Sequence, residues 1–76
     1  MQEFVFEVAG DPAEGIAHYG LPAGVSGTCV VIRTDDPDEI RVIHNERPAG
    51  WRLCAYGRIQ DHWAADHPIH AARADL

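Results

Sequence analysis

Lysine does not occur in this chain. All six basic side chains are arginines, set against twelve aspartates and glutamates, for a formal net charge of −6. A field of that sign repels phosphate backbones, so direct nucleic-acid binding is not expected. The same surface can imitate nucleic acid and occupy a basic groove on another protein. Long apolar runs are also missing: none approaches the roughly 18 residues of a membrane-spanning helix. Cysteine is sparse, with only Cys29 and Cys54. The opening MQEFVFEVAG carries Glu3 and Glu7 and no basic head, so no signal peptide is expected. Together these features predict a cytoplasmic protein whose thiols are reduced, small hydrophobes rather than a bridge.

What is present is a hydrophobic fraction of 46%, too high for a disordered acidic tail. At 76 residues the chain is expected to form a single domain over 1–76. Domains of this size bury only about 60% of their unfolded surface, so a partner, a metal or a bridge is the usual supplement.

The segment EFVFEV alternates, with Phe4, Phe6 and Val8 on one face and Glu3, Val5 and Glu7 on the other, as in a half-buried strand. Gly10-Asp11-Pro12 ends it. The following stretch to Gly27 is rich in glycine and reads mainly as an ordered loop. A short helical turn is expected over Ala13–His18, with Asp11 capping and Pro12 at the first helical position, weakened by Gly15. TCVVIRT and EIRVIHN are rich in β-branched residues and flank DDPD, which predicts a β-hairpin. In either plausible register its valines and isoleucines fall on both faces, so the second face needs a cover: the C-terminal segment, the glycine-rich loop or another chain. ERPAGW reads as a turn, and WRLCAYG alternates as a third consecutive strand. Beyond Arg58, Ile59, Trp63 and His67 recur at four-residue steps, as on a helix, and Pro68 kinks it or opens a second one carrying Ile69, Ala72 and Leu76. The predicted architecture is therefore α+β: a small antiparallel sheet of three to four strands, in a hairpin or meander, with one or two short C-terminal helices.

Three constellations carry possible chemistry. On a continuous helix His62, Asp66 and His70 are spaced at i, i+4, i+8, which offers nitrogen, oxygen and nitrogen ligands to zinc or another divalent ion. They match no specific signature such as H-E-x-x-H, and Pro68 interrupts the helix where the third ligand needs it; a solvent-facing polar stripe has the same composition. His67, on the Trp63 side, reads as a half-buried, hydrogen-bonded histidine at the helix junction. Cys54 and His62 have the residue types of a thiolate–imidazole pair but no supporting motif. In the loop, Gly15, Gly20 and Gly24 form no phosphate-binding pattern, and Asp11 and Glu14 oppose an anion.

His18 and Tyr19, on a glycine-flanked turn, instead read as a contact pair for a partner. Arg41 on the hairpin, and Trp51 between Arg47 and Arg52, extend that set; Trp51 is either a core edge or an exposed anchor, with burial the favoured expectation. RPAGWR, residues 47–52, resembles the Pro-x-Gly-Trp element of MbtH-like proteins, small accessory factors that bind adenylation domains of peptide synthetases. That family is similar in having a three-stranded antiparallel meander followed by a helix, and a later tryptophan with a proline five residues on, as Trp63 and Pro68. Its second-strand pattern has no counterpart in DDPDEIRVIHN, and the chain is not assigned to it.

The expected function is a non-enzymatic accessory, regulatory or inhibitory protein. It would bind a protein partner through an acidic, partly apolar surface and the second sheet face, with a homodimer as one form of that association. The alternatives are a divalent-metal protein built on His62, Asp66 and His70, and an enzyme with a site between subunits.

Overall fold

The alternating N-terminal segment forms the centre of the molecule. A computed structural model describes all 76 residues, in the order β1 (Gln2–Val8), α1 (Ala13–Tyr19), β2 (Ala23–Ser26), β3 (Cys29–Thr34), α2 (Pro37–Asn45), β4 (Trp51–Arg58) and α3 (Ile69–Ala74). The strands make one antiparallel sheet in the order β2-β3-β1-β4. The fold class is thus α+β, with three short helices interspersed and one of them C-terminal.

β1 is flanked on both sides, and Phe4, Val5, Phe6 and Val8 are all buried. Phe4 and Phe6 oppose Ile32 and Val30 of β3, and on the other side Tyr56 and Leu53 of β4. With Val8, Ile43 and Trp51 they form the core of the first face, under α1 and α2. Val5, Val31 and Cys29 point the opposite way and meet Ile69 and Ala72 of α3. β2 and β3 are joined through Gly27 and Thr28 alone. Gly27 has φ of +58° and Thr28 has negative φ, the pattern of a type II′ hairpin turn.

The hairpin expected between TCVVIRT and EIRVIHN does not form, because the second segment is helix α2. Its start is locally determined. Asp36 accepts from the backbone N–H groups of Asp38 and Glu39 at 2.8 and 3.4 Å, and Pro37 sits in the first turn. Glu39 accepts from the Thr34 hydroxyl at 2.8 Å, tying the helix to the end of β3. Such a cap contributes about 1 kcal/mol, and helical spacing turns Ile40 and Ile43 together onto the sheet. That combination outweighs the strand preference of the β-branched residues. With α2 between β3 and β4, the three-stranded meander also disappears: β4 pairs with β1 instead.

The weak helix after Asp11 is present, one residue longer than expected, and Asp11 accepts from Ala13 N–H at 3.0 Å. Gly15 is required there for packing. A Cβ at this position would collide with the Trp51 indole, which lies buried beneath the helix. The glycine-rich stretch also holds strand β2, which alternation over so few residues did not reveal.

The helix expected from Ile59 through His67 is absent; only Ile69–Ala74 is helical in the tail. Residues 59–68 wrap instead as a connection that lays half-buried Trp63 against the second face. Gln60 O accepts from Arg73 of α3, while Ala64 O accepts locally from His67 N–H and meets the His70 ring. His67 is half-buried, and its Nδ1 accepts from Ile69 N–H at 3.0 Å at the start of α3, as the junction reading required.

A buried ion cluster fastens this cover. Glu3 accepts from Arg73 Nε and Nη2 at 2.9 and 2.7 Å and from Arg33 Nε at 3.1 Å. Burial raises the carboxyl pKa, but hydrogen bonds and charge from Arg73 and Arg33 outweigh it, and Glu3 lies below its ordinary value. The same bonds hold the Arg73 guanidinium above its own. The second sheet face, expected to need a cover that another chain could supply, is therefore closed by the chain's own C-terminal segment.

Candidate functional site

The largest hollow, about 410 Å³, opens between α1 and the connection from α2 to β4, lined by Glu14, Gly15, His18, Glu46, Arg47 and Pro48. Helix α1 supplies one wall, because Glu14 and His18 are i, i+4 neighbours and share a face. The other wall is the ERP segment after α2. Its position is set from below. Tyr19 donates its hydroxyl hydrogen to Glu46 O at 2.6 Å, and its ring packs edge-on to Trp51 with centroids 5.7 Å apart. Phe6 meets the same indole at 5.0 Å. Burial pushes the Tyr19 phenol above its ordinary value; Arg47 pulls it down and Glu46 adds to the rise. The phenol stays a hydrogen-bond donor at neutral pH.

Beside this polar cleft lies a smaller, mainly apolar hollow of about 160 Å³, lined by Tyr19, Leu21, Asp38, Glu39 and Val42. Tyr19 forms part of this hollow, and its hydroxyl bond to Glu46 ties it to a lining residue of the other. Val42 is 39% exposed there. Acidic side chains outnumber basic ones across the pair, yet Arg47 forms no ion pair, whereas Arg33, Arg41, Arg52 and Arg73 all do.

The expected contact residues divide accordingly. His18 and Arg47, far apart in sequence, line one cleft; Tyr19 borders the second hollow, and Trp51, buried as favoured, lines neither but packs under Gly15 and against the Tyr19 ring. Arg41 lines neither hollow, but it pairs at 3.5 Å with Asp38, which lines the second. Arg52 lies on β4 and pairs with Glu7 of β1 at 3.0 Å. Glu14, Glu46, Leu21 and Val42 were not singled out from the sequence. The i, i+4 pair Glu14–His18 was the available signal; the others depended on how α2 packs.

His62, Asp66 and His70 are not assembled as ligands. No group of three His, Cys, Asp or Glu side chains is arranged to hold a metal ion, since the helix that would have stacked the triad does not form. His62 stacks on Trp63, and the His70 ring meets Ala64 O. Cys29 is buried, with its thiol pushed up by burial, and Cys54 is exposed; both are free. They lie on β3 and β4 with β1 between, about 10 Å apart by two interstrand spacings, beyond the reach of a disulfide. Cys54 interacts with the Arg52 carbonyl at 3.7 Å.

No protein-family model, no curated protein and no solved structure matches the chain.

Proposed function

We propose that the chain is a non-enzymatic accessory, regulatory or inhibitory protein that takes a segment of a protein partner into the paired hollows between α1 and α2. The observation that carries this reading is the adjacency of an apolar hollow at Val42 and Leu21 to a charged cleft whose Arg47 has no internal partner. An apolar side chain of the partner fits the first. Its basic side chains suit Glu14 and Glu46, which form no ion pair within the chain, while Arg47 offers a forked donor to a carboxylate or carbonyl. The packing of Gly15 on the Trp51 indole and the Tyr19–Glu46 bond hold the surface in advance, which limits the ordering cost of binding. Both thiols are unbridged, which suits a cytoplasmic setting.

Capture of a partner by the tagged chain from its native cell, repeated with Val42→Asp, Arg47→Glu and Arg52→Glu, tests this. Loss with the first two and retention with the third is expected. Capture that survives Val42→Asp and Arg47→Glu together would remove the assignment. Trp51→Ala is unsuitable as a probe, because it removes core.

A further inference from the structure

The two edges of the sheet are finished differently. Edge strand β2 is only four residues long, its Val25 N–H donates to Asp75 at 3.0 Å, and α3 lies so close that Gly24 has no room for a Cβ. Edge strand β4 runs for eight residues, contains no proline, and pairs on one side only, with β1. A long unpaired edge presents a row of backbone donors and acceptors to another strand.

We infer that β4 is a self-association surface, on which two copies of this chain pair antiparallel about a two-fold axis between Cys54 and Ala55. A β-bulge selects that occupant. Val5 opposes Ala55 while Phe6 opposes Leu53, so Cys54 is the extra residue. As a result Leu53 and Tyr56, three positions apart, point to the same face, as do Trp51 and Arg58. A regular strand laid along β4 keeps its side chains in phase on only one side of the bulge. A second β4, carrying the same bulge in the opposite direction, stays in phase on both.

The charges select the same register. About this axis Leu53 faces Tyr56 of the second copy, Arg52 faces Gly57, and Trp51 faces Arg58, so no like charges are opposed. Moving the axis onto Ala55 sets Arg52 against Arg58, which is repulsive. Moving it onto Cys54 pairs Trp51 with Gly57, residues of opposite faces. Tyr56 supplies the apolar contact: its ring stacks on Phe4 at 5.7 Å and meets the His44 ring edge-on at 4.5 Å, yet the residue remains 61% exposed. Leu53 of the second copy covers the rest, twice per dimer by symmetry. Arg58 forms no ion pair within the chain, and in this register it is not set against another arginine. This surface is separate from the α1–α2 hollows and does not depend on them.

Sedimentation of the pure protein from micromolar to millimolar concentration tests the inference. The unmodified chain is expected to show a concentration-dependent dimer. Tyr56→Lys, at an exposed site, is expected to weaken association roughly tenfold or more with an unchanged far-ultraviolet spectrum, while Arg47→Glu leaves it intact. Ala55→Cys, oxidised with glutathione disulfide, is expected to join residue 55 of each copy to Cys54 of the other, giving a dimer under non-reducing conditions. A chain monomeric throughout, or a dimer indifferent to Tyr56→Lys, overturns the surface; a dimer that Ala55→Cys does not cross-link overturns the register.

Discussion

The two faces of the sheet are covered by different physics. On the first, α1 and α2 close over large side chains, with Phe4, Phe6, Ile32, Ile43 and Trp51 interlocking and a network of edge-on aromatic contacts. On the second, one short helix and an irregular connection cover smaller groups, Val5, Val31, Cys29 and Ala72, with Ile69. There the fastening is the Glu3–Arg33–Arg73 cluster and the Asp75–Val25 bond. A small apolar area on a six-residue helix contributes too little alone, and directional polar contacts make up the difference. The first cover should therefore depend on volume and the second on charge.

Phe6→Ala should show the volume dependence most strongly, lowering stability by about 3–5 kcal/mol in denaturant melts through lost burial and a residual cavity. Glu3→Gln should cost about 1.5–3 kcal/mol, the range for hydrogen bonds to a charged group, while leaving Val5 and Val31 in place. If it costs no more than an exposed ion-pair substitution, the electrostatic account of the second cover fails. Its pH dependence sharpens the test. The folded pKa of Glu3 is below its ordinary value of 4.5. Its contribution is therefore complete above the unfolded value and disappears as pH falls through the folded one. Acid melts of the unmodified chain should steepen below about pH 4.5 relative to Glu3→Gln.

Gly15→Ala reverses a simple expectation on the first face. Alanine favours a free helix by about 1 kcal/mol, but here its methyl meets the Trp51 indole, and a net loss of about 1–3 kcal/mol is expected from overpacking. Asp75→Ala should have the smallest effect, about 0.5–1.5 kcal/mol. Hydrogen exchange should show it as faster exchange of the Val25 amide, with the amides of α1 unchanged.

Local signals were legible where neighbouring residues supplied their own reasons. The alternation of EFVFEV marked β1, and Asp11-Pro12 marked α1. Asp36-Pro37 followed by Glu39 is also a helix-start pattern, yet the β-branched residues of EIRVIHN drew the segment toward a strand. Propensity was the weaker indicator, because Ile40 and Ile43 meet the sheet as well from a helix. The four-residue recurrence of Ile59, Trp63 and His67 misled for a related reason: without a cap at its start or a continuous apolar stripe, spacing alone does not stabilise ten residues of helix. Of the site, His18, Tyr19, Arg47 and Trp51 were visible by type. That His18 and Arg47 share a cleft while Arg41 and Arg52 do not follows from α2 replacing a strand.

The amino-acid order alone determined an α+β chain with an N-terminal strand, apolar groups pointing both ways from the sheet, and an excess of acid over base without lysine. Those properties reside in single residues and their near neighbours; that the strand is central and buried on both faces was not legible in them. Only the tertiary structure decided which segments close the two faces, which arginines pair internally and which edge stays open. Each of those outcomes depends on contacts between residues distant along the chain, where small local preferences yield to the larger free energy of burying side chains together.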